Sequence, residues 1–249
     1  MSRILFTLFF LYILVQTAIG QYSTQLTPRI SSDNSISERI AYTKISLEYG
    51  SPKVRGRKIW GEMEEYGQIW RAGANKATVI SFTENVKIED KELPKGEYSL
   101  FVIPKQGSEW TVIFNKVADQ WGAFNYDQDQ DALRITVPAI MNHHVEDLTF
   151  DIVAKDFEGA NVTLEWERIK LSFFVEVEHY RILEKILNEQ LSLLPQNTRW
   201  VTYLQAANYL IDERSQIDKA EAWLDKSAML YKDVEEWSDN YYPKIYVYG

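Results

Sequence analysis

The sequence predicts a mainly β chain, an antiparallel sandwich with an α-helical segment at its C-terminal end. Apolar residues recur at every second position in stretch after stretch between Ile45 and Phe173, the mark of half-buried strands. Tight-turn residues part these stretches at short intervals, and after Val177 the apolar spacing lengthens to three and four, the helical period.

The chain opens MSRILFTLFFLYILVQTAIG: one cation (Arg3), an apolar run from Ile4 to Val15, then Ala18-Ile19-Gly20 as a small-residue cleavage site. Residues 1–20 are expected to be a secretory signal peptide, too short in its apolar run for a membrane-spanning helix. The mature chain would begin near Gln21, secreted or periplasmic, with no membrane insertion after cleavage. There is no cysteine, which excludes disulfides, a thiol nucleophile, Cys-ligated zinc and a lipidated N-terminal cysteine. The fold must therefore be held by packing alone.

The 27 basic and 36 acidic residues give a formal net charge of −9. The leader holds one of those cations and no acid, so the mature chain carries −10. A nucleic-acid backbone or an anionic membrane would be repelled over most of such a surface.

Residues 21–40 are polar and Ser/Thr-rich without a sustained period and read as a lead-in whose end pairs with a sheet edge. The β part, residues 41–177, alternates at Ile45/Leu47/Tyr49, Thr78/Ile80/Phe82, Trp110/Val112/Phe114, Leu133/Ile135/Val137, Leu148/Phe150/Ile152, Val162/Leu164/Trp166 and Ile169/Leu171/Phe173. With Tyr98–Ile103 this makes about eight strands. The turns Leu93-Pro94-Lys95-Gly96, Lys105-Gln106-Gly107-Ser108 and Phe157-Glu158-Gly159-Ala160 are too tight for crossover helices, so the sheet is antiparallel.

Residues 178–249 are expected to be helical. His179–Leu194 is amphipathic and ends at Pro195; Trp200–Ile211 and Ile217–Tyr231 follow. The last pair resembles a tetratricopeptide repeat: Tyr203, Ala207 and Leu210 on one helix, Ala220, Trp223, Leu224 and Ala228 on the next, and Trp237 one repeat length after Tyr203. One such repeat cannot bury its own apolar face. It must dock on the sandwich, on a second copy or on a partner.

Three stretches carry a wider resemblance: YGSPKVRGRKIWGEMEEYGQIWRAGANKA, LPKGEYSLFVIPKQGSEWTVIFNKVADQWGAFNYD and TLEWERIKLSFFV. From about Ile40 to Val177 the chain is similar to the secreted bacterial proteins of domain-of-unknown-function family 2911. The resemblance implies an exported β-rich domain, sometimes followed by tetratricopeptide-like helices. It implies no activity.

The candidate site is drawn from two stretches, Trp70, Arg71 and Asn75 around Gly73-Ala74, and Gln120, Trp121, Tyr126 and Asp127. Arg, Asn and Gln offer forked donors and acceptors, and aromatic faces stack on sugar rings or guanidinium groups, so the set suits a saccharide or a carboxylate-bearing ligand. The structural alternative has Arg71 pairing with a buried carboxylate such as Asp127 and stitching two loops together.

No cofactor, metal or catalytic set is expected. Asp127-Gln128-Asp129-Gln130-Asp131 has the alternate acids of a calcium loop but lacks its glycine and its final carboxylate. His143 and His144 are adjacent, so on a strand they face opposite sides. A hydrolase would recruit acids from Glu62, Glu64, Glu65, Glu165 and Glu167, all of which also suit a solvated surface. The leading function is an exported, non-catalytic binding or interaction module for a small molecule, saccharide or protein. The alternative is a hydrolase of a cell-envelope or dietary polymer.

Overall fold

The computed structural model describes residues 28–235. Nine strands are present: β1 (Ser32–Ile40), β2 (Thr43–Ser51), β3 (Ala74–Phe82), β4 (Val86–Ile88), β5 (Lys91–Leu93), β6 (Gly96–Ile103), β7 (Glu109–Asn115), β8 (Asp131–Lys155) and β9 (Gly159–Val177). All pair antiparallel in the order β1-β2-β3-β6-β7-β8-β9-β4-β5, which makes the predicted sandwich-like architecture rather than a closed barrel.

One layer runs from β1 through β7 to the start of β8, which pairs with β7 as far as Pro138. From Ala139 onward β8 pairs instead with β9, which also takes β4 along its C-terminal end, and these strands with β5 form the second layer. Ile45, Leu47, Ile80 and Leu100 from the first layer meet Phe150, Val162 and Val175 from the second in one core. Burying each such side chain stabilises the fold by roughly 1.5–3 kcal/mol.

At the centre stand four tryptophans. Trp60 lies edge-on to Trp110, Trp70 and Trp166 with ring centroids 4.7, 5.3 and 5.6 Å away, and Trp70 stacks on Trp166 at 5.7 Å. Edge-to-face packing sets the positive rim of one ring against the negative face of another.

The strand boundaries differ from expectation in three places. The stretches Leu133–Val137 and Leu148–Ile152 belong to one strand, β8, and Val162–Trp166 and Ile169–Phe173 to another, β9. In β9 the buried set shifts from even to odd positions at Glu167, whose φ of +54° marks a bulge, and the pairing of β8 slips twice opposite it. One extra residue at a bulge turns the following side chains to the other face, so a single bent strand shows two alternations out of phase.

The end of the lead-in pairs with the sheet edge as expected: residues from Ser32 to Ile40 all pair with β2. Only Ile36 and Ile40 of β1 are apolar, as suits an edge strand with one face in water. The hairpin β4–β5 turns through Glu89 and Asp90, both with positive φ. Its three-residue strands are too short to show a period.

Three helices follow β9: α1 (His179–Leu193), α2 (Arg199–Asp212) and α3 (Ile217–Glu235). Leu183, Leu187, Ala206, Leu210 and Ala220 form their shared core, and Tyr42 from the β1–β2 turn packs into it. Phe157 from the β8–β9 turn meets Tyr209 at 6.0 Å and His179 at 6.3 Å. The helices thus sit against one end of the sandwich. The expected signal peptide and Trp237 lie outside the described residues.

Candidate functional site

Because side chains alternate along a strand, the first layer has an outer face as well as a core face. On that outer face Ala77, Phe101 and Ile113 form a small second cluster, covered by the 116–127 loop, with Tyr126 edge-on to Phe101 at 5.1 Å. Among the described residues the cover stops short of β1. Over β1, β2 and β3 the face stays open as a groove of about 380 Å³, lined among others by Arg29, Asp33, Ser35 and Glu48. A second hollow of about 210 Å³ continues it and shares Glu48, Lys76 and Val79. The first volume lies in the range of small-molecule sites.

The candidate residues divide between this groove and the fold behind it. Trp70 is 2% exposed within the tryptophan cluster and its backbone pairs with Val102, so its ring supports the corner from inside. After it the chain turns tightly. A side chain at Gly50 would stand 2.2 Å from the Ala74 carbonyl oxygen, and one at Gly73 would stand 2.8 Å from that of Gly50, so two backbones touch where only glycine fits. Arg71 makes no ion pair with Asp127 among the described residues, which corrects the expected stitch. Its charge instead pulls on the Glu64 carboxyl, and its own Nε is buried without a hydrogen-bond partner among the described residues.

Asn75 and Trp121, in contrast, come together. The Gly122 amide donates to the Asn75 carbonyl at 3.2 Å, Lys76 bridges to Trp121, and the Asn75 side chain donates to Asp33 at 3.3 Å. Trp121 lines neither hollow itself; it is 52% exposed beside them, next to Lys76 and with the Arg29 guanidinium 5.4 Å above its ring centre. Arg29 also pairs with Asp33 at 2.9 Å, and Lys76 with Asp119 at 2.7 Å.

Gln120, Tyr126 and Asp127 hold the loop that carries Trp121. The hub is Asn115, which opens the Asn115–Asp127 stretch that supplies the candidates but is not itself one of them, fully buried at the end of β7. Its amide donates to the Asp127 carbonyl and to the Asp131 carboxylate, both at 2.9 Å, and its oxygen accepts from the Val117 amide and from Gln120, both at 3.1 Å. The Ser99 hydroxyl donates to the Val117 carbonyl at 2.8 Å. Tyr126 donates to Asp131 at 2.8 Å, beside Arg134, and burial with the Asp131 charge pushes its hydroxyl up to about 12. Asp127 caps the 3₁₀ turn at Gln128–Gln130 by accepting from the Asp129 amide. The only sequence sign of the hub was a polar residue closing an apolar strand.

Burial pushes the Glu64 carboxyl up to about 7, against the pull of Arg71 and Arg57. Glu165 pairs with Lys170 at 3.0 Å, and Glu167 sits on the β9 bulge. His144 faces Glu146 at 3.2 Å. Among the described residues no group of three or more His, Asp or Glu is arranged to hold a metal ion, and no helix is long and apolar enough to cross a membrane.

Residues 31–175 match the family described as "Protein of unknown function (DUF2911)". No curated protein and no solved structure matches the chain significantly. Since the match spans more than half of the sequence, the chain belongs to that family.

Proposed function

We propose that this member of the DUF2911 family is an exported binding module that takes a small polar ligand in the groove over β1, β2 and β3, without covalent chemistry of its own. The observation that carries this is the convergence of the start of β3 and the 116–127 loop beside one hollow. The Asn75–Lys76 segment and the Gln120–Gly122 segment, distant in sequence, are tied to each other beside an open hollow, with an exposed tryptophan alongside. Exposed aromatics on rigid loops beside a polar cavity are the usual furniture of ligand sites. Export is supported by the N-terminal apolar run. The α2–α3 pair, tetratricopeptide-like in its spacing, supplies a second surface for protein contacts.

A thermal-shift screen of the purified protein against a metabolite library tests the reading. A true groove ligand raises the melting temperature by several degrees, and Val79→Trp, which fills the groove, abolishes the rise. Ligands that stabilise the filled variant equally would place binding elsewhere and overturn it.

One observation favours the hydrolase alternative, the Glu64 carboxyl held near neutrality as a general acid requires. Release of reducing ends from a polysaccharide, lost in Glu64→Gln, would make that alternative the function.

A further inference from the structure

Building on the groove as the ligand site, we infer that its ligand is an uncharged oligosaccharide lying along both hollows, with one sugar ring against Trp121. The charge pattern disfavours an anionic ligand. Among the described residues Arg29 and Lys76 are the two cations lining the hollows, and each is engaged by an aspartate, Asp33 and Asp119. Glu48 and Glu97 remain as surplus negative charge. Carboxylated, sulfated or phosphorylated chains are therefore repelled, whereas sugar hydroxyls, each both donor and acceptor, satisfy ion-paired side chains without disturbing them.

The shape sets the length. Two hollows that share Glu48, Lys76 and Val79 form one continuous track, which a single ring would leave half empty. β2, at the centre of the floor, is paired on both sides, so it offers side chains and no free backbone edge for an added peptide strand. Trp121 stands beside the hollows with Arg29 over one face of its ring, and the half of its surface left exposed is where the C–H face of a pyranose stacks; the Asn115–Gln120 network fixes that loop before the ligand arrives.

The test is titration calorimetry on the purified protein with xylo-, cello-, malto- and chito-oligosaccharides as dimer, trimer and hexamer, with hexagalacturonate and spermidine as charged probes. At least one neutral series is expected to bind, with affinity rising tenfold or more from dimer to hexamer. Trp121→Ala is expected to weaken the hexamer at least tenfold at unchanged melting temperature, and Glu48→Gln to admit hexagalacturonate better than wild type does. Tighter binding of hexagalacturonate or spermidine than of any neutral chain, affinity independent of length, indifference to Trp121→Ala, or no binding by any neutral series would overturn the inference. In each case a non-saccharide stabiliser lost in Val79→Trp would leave the groove as the ligand site, while absence of that too would remove both.

Discussion

Glu64 shows how burial overrides neighbouring charge. Arg71 and Arg57 pull its carboxyl toward the ionised form, yet loss of water dominates and pushes it up to about 7. Between about pH 4.5 and 7 the folded chain therefore keeps a proton that the unfolded chain has released. Stability should fall as pH rises through that window and level off above it. Glu64→Gln should flatten this slope and make the protein more stable than wild type at pH 8, by roughly 2–3 kcal/mol at most. Denaturant midpoints of both proteins at pH 5, 6, 7 and 8 check it; parallel curves would contradict it. The sequence pointed to Arg71 as a group in need of a partner but could not choose among the acids. Asp127 lay in the loop that seemed nearest, whereas Glu64 lies on the same β2–β3 connection as Arg71 itself.

The elements were legible in proportion to how regularly they bury apolar side chains. β2, β3, β7 and all three helices lie where the period put them. β8 and β9 were read as four strands because Glu167 and the slips opposite it break the phase, and a broken phase looks the same whether the chain turns or bulges. The 116–127 loop was readable only as a set of suggestive side chains, since what fixes it is the Asn115 hydrogen-bond hub rather than any pattern. Asn115→Ala should take a partner from the Val117 amide, buried Gln120, the Asp127 carbonyl and the Asp131 carboxylate, at a cost of about 1–3 kcal/mol. Chemical denaturation measures this directly. A loss below about 1 kcal/mol would mean that packing of Tyr126 on Phe101 holds the loop without the hub.

For the molecule as a whole, the sequence left open whether the helices stand apart. They meet the sandwich through Tyr42, Phe157, His179 and Tyr209, two aromatics from turns and two from helices. Limited proteolysis of the wild type should accordingly cut helices and sandwich at similar rates. In Phe157→Ser the connections flanking α2 should be cut first, leaving a resistant β core. If the wild type already loses its helices first, the aromatic contact is too weak to hold them.

The short β4–β9 ladder has a consequence for how the molecule is made. Its three residue pairs, Val86 with Val177 through Ile88 with Val175, join positions about 90 residues apart in the chain. Until β9 has been synthesised, the β4–β5 hairpin has no neighbour and the core face of the first layer lies open. Most of the chain must emerge before the sandwich can close, and loop-closure entropy must be met before the distant pairs reward it. Refolding should be slow for a chain this size, in the range of milliseconds to seconds or longer, and truncation before Gly159 should yield no cooperative unfolding transition.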